Sequence, residues 1–165
     1  MTYLFLPDDH AELERRMAEA HDRMRGAMSM IHETTTYSSE SYHDNPAFDE
    51  QQQQAKMWHD QYQKLRRVFN DSQVVRPVGG DGVVELGSRV TFEDLDNGER
   101  DTVSIGSYLS FGADREDRVS YAAPLGALLL GASTGEVRQG RVGPHTKRVR
   151  IVGIAPEFPA GDQPA

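Results

Sequence analysis

The chain has 165 residues, no cysteine, and 18 Lys and Arg against 26 Asp and Glu, a formal charge of −8. That length suits one compact domain or two small ones, and the lack of cysteine excludes a disulfide scaffold, a thiolate metal site and a Cys nucleophile. The hydrophobic fraction of 37% is low for a globular chain, which points to a small core or to an elongated element with little interior. A net acidic chain is a poor non-specific binder of nucleic acid, so a partner protein or a metal ion is the better first expectation. No apolar run approaches the ~18 residues of a membrane span. The opening Met1-Thr2-Tyr3-Leu4-Phe5-Leu6 is short, lacks a basic lead and runs into Asp8-Asp9, unlike a signal peptide. The expected compartment is the cytoplasm, with no membrane partner.

Residues 9–75 are poor in glycine and read as helix. Leu13, Met17, Ala20, Met24, Ala27 and Ile31 step by fours and threes, as do Ala55, Trp58, Tyr62, Leu65 and Phe69. Each set is a narrow a/d seam of the coiled-coil kind. Between them Ser38 to Pro46 breaks the pattern, with Asn45-Pro46 as a turn signal. The expectation is an antiparallel helical hairpin over residues 1–75. Its far end is purely acidic: between Arg25 and Lys56 there is no Lys or Arg, but Glu33, Glu40, Asp44, Asp49 and Glu50 are present. His10, His21, His32 and His43 recur every 11 residues on one face. Successive members lie ~16 Å apart along a helix, too far to share a metal.

From Arg76 the grammar changes. Residues 76–82, with Pro77 and Gly79-Gly80-Asp81-Gly82, read as a linker. Residues 83–155 read as a small antiparallel sheet with one short helix. Val90 to Leu95 alternates like a strand, Asp96-Asn97-Gly98 is a turn, and Thr102 to Ile105 is the return strand. Val119 to Ala122 is a further strand candidate. Pro124 opens an apolar helix through Leu130, and Val137 to Val142 and Arg148 to Ile154 are the last strands. Arg138, Arg141, Lys147, Arg148 and Arg150 make the last two strands basic. The tail 156–165 is rich in Pro, Gly and Ala and reads as disordered. The fold class is thus α+β, a helical hairpin followed by a sheet domain.

Val84-Glu85-Leu86-Gly87-Ser88-Arg89-Val90, then Val119 to Gly131, then Gly135-Glu136-Val137, resemble in order and spacing the C-terminal domain of the bacterial Gre transcript-cleavage factors (GreA/GreB). With the helical hairpin in front, the resemblance spans nearly the whole chain. It implies an FKBP-like C-terminal domain that docks on RNA polymerase, and a coiled coil that enters the polymerase secondary channel. It implies no catalytic centre or cofactor of the chain's own, only a Mg²⁺ shared with the polymerase near the nascent RNA 3′ end. In the docking loop Ser120 and Pro124 match the family, Ala123 stands where the family has Ser, and Leu125 follows. In the tip motif, Ser41-Tyr42-His43-Asp44-Asn45 aligns so that the first family acid falls on Ser41 and the second, a Glu, on Asp44. Ser is a weak Mg²⁺ ligand, while a carboxylate is a good one.

The resemblance therefore implies a channel-binding regulator of transcription elongation with weak or no stimulation of RNA cleavage. One alternative is a genuine cleavage stimulator using Asp44 with Glu40 or Asp49 to hold the metal. His43 is a tip residue suited to meeting nucleotide or phosphate. Another alternative is an FKBP-like prolyl isomerase or chaperone. Residues 76–154 offer that reading Phe92, Tyr108, Phe111 and Tyr121 but no tryptophan to floor a pocket.

Overall fold

The computed structural model describes residues 1–37, 46–77, 82–111 and 117–156. The chain is mixed α+β, with a helical region towards its N-terminus and a curled β-sheet after it. It divides into two compact units: Met1–His10 with Ser72–Ala165, and Ala11–Asp71.

The helical unit comes from α1 (Pro7–Tyr37) and α2 (Pro46–Asn70). Pro7 and Pro46 each open a helix, where the missing N–H costs nothing. The expected seam residues are the shielded ones. Leu13 and Ala20 on α1 and Ala55 on α2 are buried, and Met17, Met24, Ala27, Trp58, Tyr62 and Leu65 are half-buried. The His21 ring lies 5.0 Å from that of Tyr62, and the Arg23 guanidinium sits 4.7 Å over the Trp58 ring. On the exposed face, Glu12 binds Arg15 and Arg16, and Glu19 binds Arg15 and Arg23, at helical spacing.

The other unit is built on a five-stranded sheet. Its strands are β3 (Ser88–Asp94), β4 (Arg100–Gly106), β5 (Arg118–Ser120), β6 (Val137–Val142) and β7 (His145–Pro156), ordered β5-β4-β3-β7-β6. The pairs are antiparallel except β4–β5, which is parallel, a departure from the all-antiparallel expectation. β5 therefore runs in the direction of β4, which a tight hairpin could not produce. Val90 and Phe92 of β3 and Val149 and Ile151 of β7 point into the core with Val103, Ile105 and Leu129. The β3–β7 register shifts between Thr91 and Phe92, a bulge that adds local twist. The helix α3 (Pro124–Leu129) covers the core face, with Leu129 fully enclosed.

The N-terminal segment departs from the expected grouping of residues 1–75. A short strand, β1 (Tyr3–Phe5), pairs in parallel with β2 (Ser72–Val74), with Tyr3 opposite Ser72. Leu6 is buried in the same core as Val84, Leu86 and Ile105. Residues 1–10 thus belong with the sheet, where Leu6 leaves water among Val84, Leu86 and Ile105. The tail beyond Pro156 and residues 38–45 lie outside the described residues.

Candidate functional site

The expected docking segment follows β5. Ser120 Oγ donates to the Tyr108 carbonyl at 3.0 Å and accepts from the Ala122 N–H at 3.3 Å. The Ala123 N–H closes a turn on the Ser120 carbonyl at 3.0 Å. Ala123 is extended (φ −71°, ψ 153°), as a residue before proline should be, and Pro124 then starts α3. Pro124 is exposed, Ser120 and Ala123 are half-buried, and Leu125 packs its side chain against the core. Of the four named docking residues, Pro124 offers the most surface, and Leu125 anchors it from beneath.

Gly126 fixes how closely the helix approaches. A Cβ there would lie 2.1 Å from the Ser120 carbonyl oxygen, so no side chain fits. At the other end of α3, Arg138 of β6 donates to the carbonyls of Leu130 (2.8 Å) and Gly131 (2.9 Å). Its Nε meets Glu136 at 2.9 Å. A guanidinium on the final carbonyls satisfies groups that a helix end leaves open. The Ser133 N–H and Arg138 together hold the Glu136 carboxyl below the usual range. Beside the segment lies an open, mostly apolar groove lined by Leu4, Val75, Leu86, Tyr121 and Leu130.

Sequence reasoning missed the support beneath this segment. Arg118, the first residue of β5, has a fully enclosed side chain. Its Nη1 lies 3.3 and 3.2 Å from the two carboxylate oxygens of Asp9 and 3.5 Å from Asp8. Ser107 Oγ donates to Asp9 at 2.5 Å and accepts from the Leu6 N–H at 2.8 Å. Burial pushes the Asp9 carboxyl above its ordinary pKa, opposed by the Ser107 bond and by Arg118. In the sequence, Asp8-Asp9 reads as a pair of acids at a helix start. Their partner stands more than a hundred residues away, and no local signal announces it.

Of the basic residues at 138–150, Lys147, Arg148 and Arg150 join Arg138 in ion pairs. Glu93 faces Arg150 in the β3–β7 register, and their charged atoms are 3.9 Å apart. Lys147 meets Asp94 at 3.3 Å and Arg148 meets Asp96 at 3.3 Å. These are cross-strand ion pairs of the kind that support a sheet.

The tip residues Glu40, Ser41, His43, Asp44 and Asn45 lie outside the described residues. Asp49 sits in the first turn of α2, where negative charge suits the helix dipole, and is exposed. Among the described residues, no group of three or more His, Asp or Glu is placed to hold a metal ion, and no helix is long and apolar enough to cross a membrane.

The sheet unit is a curled, mixed five-stranded sheet carrying one short, proline-started helix. Residues 79–156 match the family described as "Transcription elongation factor, GreA/GreB, C-term". Three solved structures are similar to the chain. They are GreA factor homolog 1 (Gfh1) of Thermus thermophilus, 22% identical with TM-score 0.43 over 93% of this chain and 99% of that one; Gfh1 of Thermus aquaticus, 24% identical with TM-score 0.42 over 93% and 98%; and a GreA/GreB elongation factor of Nitrosomonas europaea, 20% identical with TM-score 0.38 over 94% and 98%. No curated protein matches the chain.

Proposed function

We propose that the chain binds RNA polymerase through the FKBP-like sheet unit. In this reading α1 and α2 form an antiparallel coiled-coil hairpin that enters the secondary channel and regulates elongation with little or no stimulation of RNA cleavage. The observation that carries the reading is the segment Ser120–Leu125. It keeps the Ser and Pro of the family's docking loop, and it is braced so that Pro124 is exposed on a fixed turn. The hairpin is supported by the pairing of His21 with Tyr62 and of Arg23 with Trp58, since partner numbers fall on one helix as they rise on the other. Weak cleavage is supported by Ser41, a poor Mg²⁺ ligand at a position where the family has an acid. Asp44 is then the one tip carboxylate at a family position that is left to meet a Mg²⁺ held by the polymerase.

The test uses a stalled, backtracked elongation complex. Full-length protein should bind it and should leave the rate of transcript cleavage within a fewfold of the factor-free rate. Pro124→Asp should weaken binding at least tenfold. Ser41→Asp with Asp44→Glu should raise cleavage. Efficient cleavage by the parent that Asp44→Ala abolishes would instead establish the chain as a cleavage stimulator.

A further inference from the structure

We infer that Asp9 is a positioning residue for the polymerase-docking segment Ser120–Leu125, acting through Arg118 and Ser107, so that the first ten residues complete the docking surface. The inference rests on the docking reading above. It starts from three connections that converge on one segment. Arg118 opens the strand that carries Ser120, and its buried guanidinium is held by Asp9. Ser107 closes β4 onto the same carboxylate and leads into Tyr108, whose carbonyl receives the Ser120 hydroxyl. Tyr121 is tied twice, its N–H to the Gly106 carbonyl at 3.0 Å and its hydroxyl oxygen to the Leu4 N–H at 3.1 Å. The Tyr108 N–H returns to the Leu4 carbonyl at 3.1 Å.

The path of Arg118 leaves no slack. A Cβ on Gly106 would meet the Arg118 Cγ at 2.6 Å, so the arm lies directly on the β4 backbone. Removing the carboxylate would take from the enclosed guanidinium its Asp9 bonds and from the Ser107 hydroxyl its acceptor. A buried charge that loses a carboxylate partner is less favourably held where it stands, so the arm shifts and β5 moves with it. The turn at Ser120–Ala123 is the next element along the strand. Gly126 presses α3 onto the Ser120 carbonyl, so a shift of β5 is passed to Pro124.

The test compares Asp9→Asn, the milder Ser107→Ala, and a core control, Val149→Ala, which touches none of these bonds, all in the full-length chain. Melting temperature, affinity for RNA polymerase and amide exchange are read for each. Asp9→Asn should weaken polymerase binding at least tenfold and speed exchange of the Tyr121 and Ala123 amides at least tenfold, with Ser107→Ala following in the same direction. Val149→Ala should lower the melting temperature while leaving affinity and those two amides within twofold. Equal loss of binding in Asp9→Asn and Val149→Ala, or unchanged exchange at Tyr121 and Ala123 in Asp9→Asn and Ser107→Ala, overturns the inference. If Pro124→Asp binds polymerase as well as the parent, the docking reading falls, and the exchange result still decides whether Asp9 positions the segment.

Discussion

Two carboxyls three residues apart on α1 are pushed in opposite directions. Asp9 is buried, facing Arg118, Ser107, the Phe111 N–H and Asp8, and desolvation raises its pKa above the ordinary 3.8. The folded chain therefore holds its proton more tightly than the unfolded chain does. Its contribution to stability is greatest below pH 3.8 and falls as pH rises through the folded value. Glu12 is held by Arg15 and Arg16, and its pKa falls from 4.5 to about 2. Its contribution is present above pH 4.5 and is lost as pH falls towards 2. Carbon-detected NMR should follow the Glu12 carboxyl titrating near 2 and the Asp9 carboxyl titrating above 3.8, and Arg118→Met should raise the Asp9 midpoint further. Gly126→Ala belongs at this scale too. With the Ser120 carbonyl 2.1 Å from the new methyl, it should destabilise by about 2–3 kcal/mol, read as a lowered denaturation midpoint with unchanged slope. Neither residue was legible in the sequence. The partners of Asp9, Arg118 and Ser107, lie far along the chain, and the approach of Gly126 to Ser120 depends on the shape of the turn between them.

At the scale of elements, the alternation at Val90 to Leu95, the seams on α1 and α2, and Pro124 as a helix opener could all be read from the chain, since each is a local signal. The turn at 96–98 was legible only in part. Gly98 has φ +74°, but no described non-glycine residue takes a positive φ, so Asn97 does not form the tight mirror-image turn that Asn-Gly suggests. The loop is instead capped by side chains, Asp94 accepting from the Asp96 N–H and Asn97 from the Glu99 N–H. Gly98→Ala meets open space and pays only for its conformation, so it should cost about 1 kcal/mol, measured by thermal melting. The three-residue β1 and β2 are too short to carry a period, and the parallel β4–β5 pair leaves no turn signature. Arg138 was read as one of a basic cluster, and its hold on the end of α3 needed the fold to bring β6 beneath Leu130. Arg138→Met should therefore loosen residues 130–131 in amide exchange and leave the β3–β4 ladder unchanged.

At the scale of the whole molecule, the unit boundaries follow burial and not sequence order. A chain starting at Ser72 would lack Leu6, fully enclosed in the sheet core, and Asp9 beside Arg118. It should melt at a lower temperature than the intact chain and bind an apolar dye, since losing a buried Leu costs about 2–5 kcal/mol, and the buried guanidinium would lose its Asp9 bonds as well. The parallel pairing of β1 with β2 has a further consequence, in the order of folding. Tyr3 must find Ser72 across the residues of both helices, and closing so long an unstructured loop costs roughly 3–4 kcal/mol in chain entropy. Contacts such as His21 with Tyr62 join positions nearer in sequence, so helix association shortens the remaining search. β1 then arrives at β2 already delivered, and Leu6 enters the sheet core last. Until the strands that follow α2 are made, Leu6 lacks the Val84, Leu86 and Ile105 that enclose it, and stands open to whatever chaperone meets the growing chain.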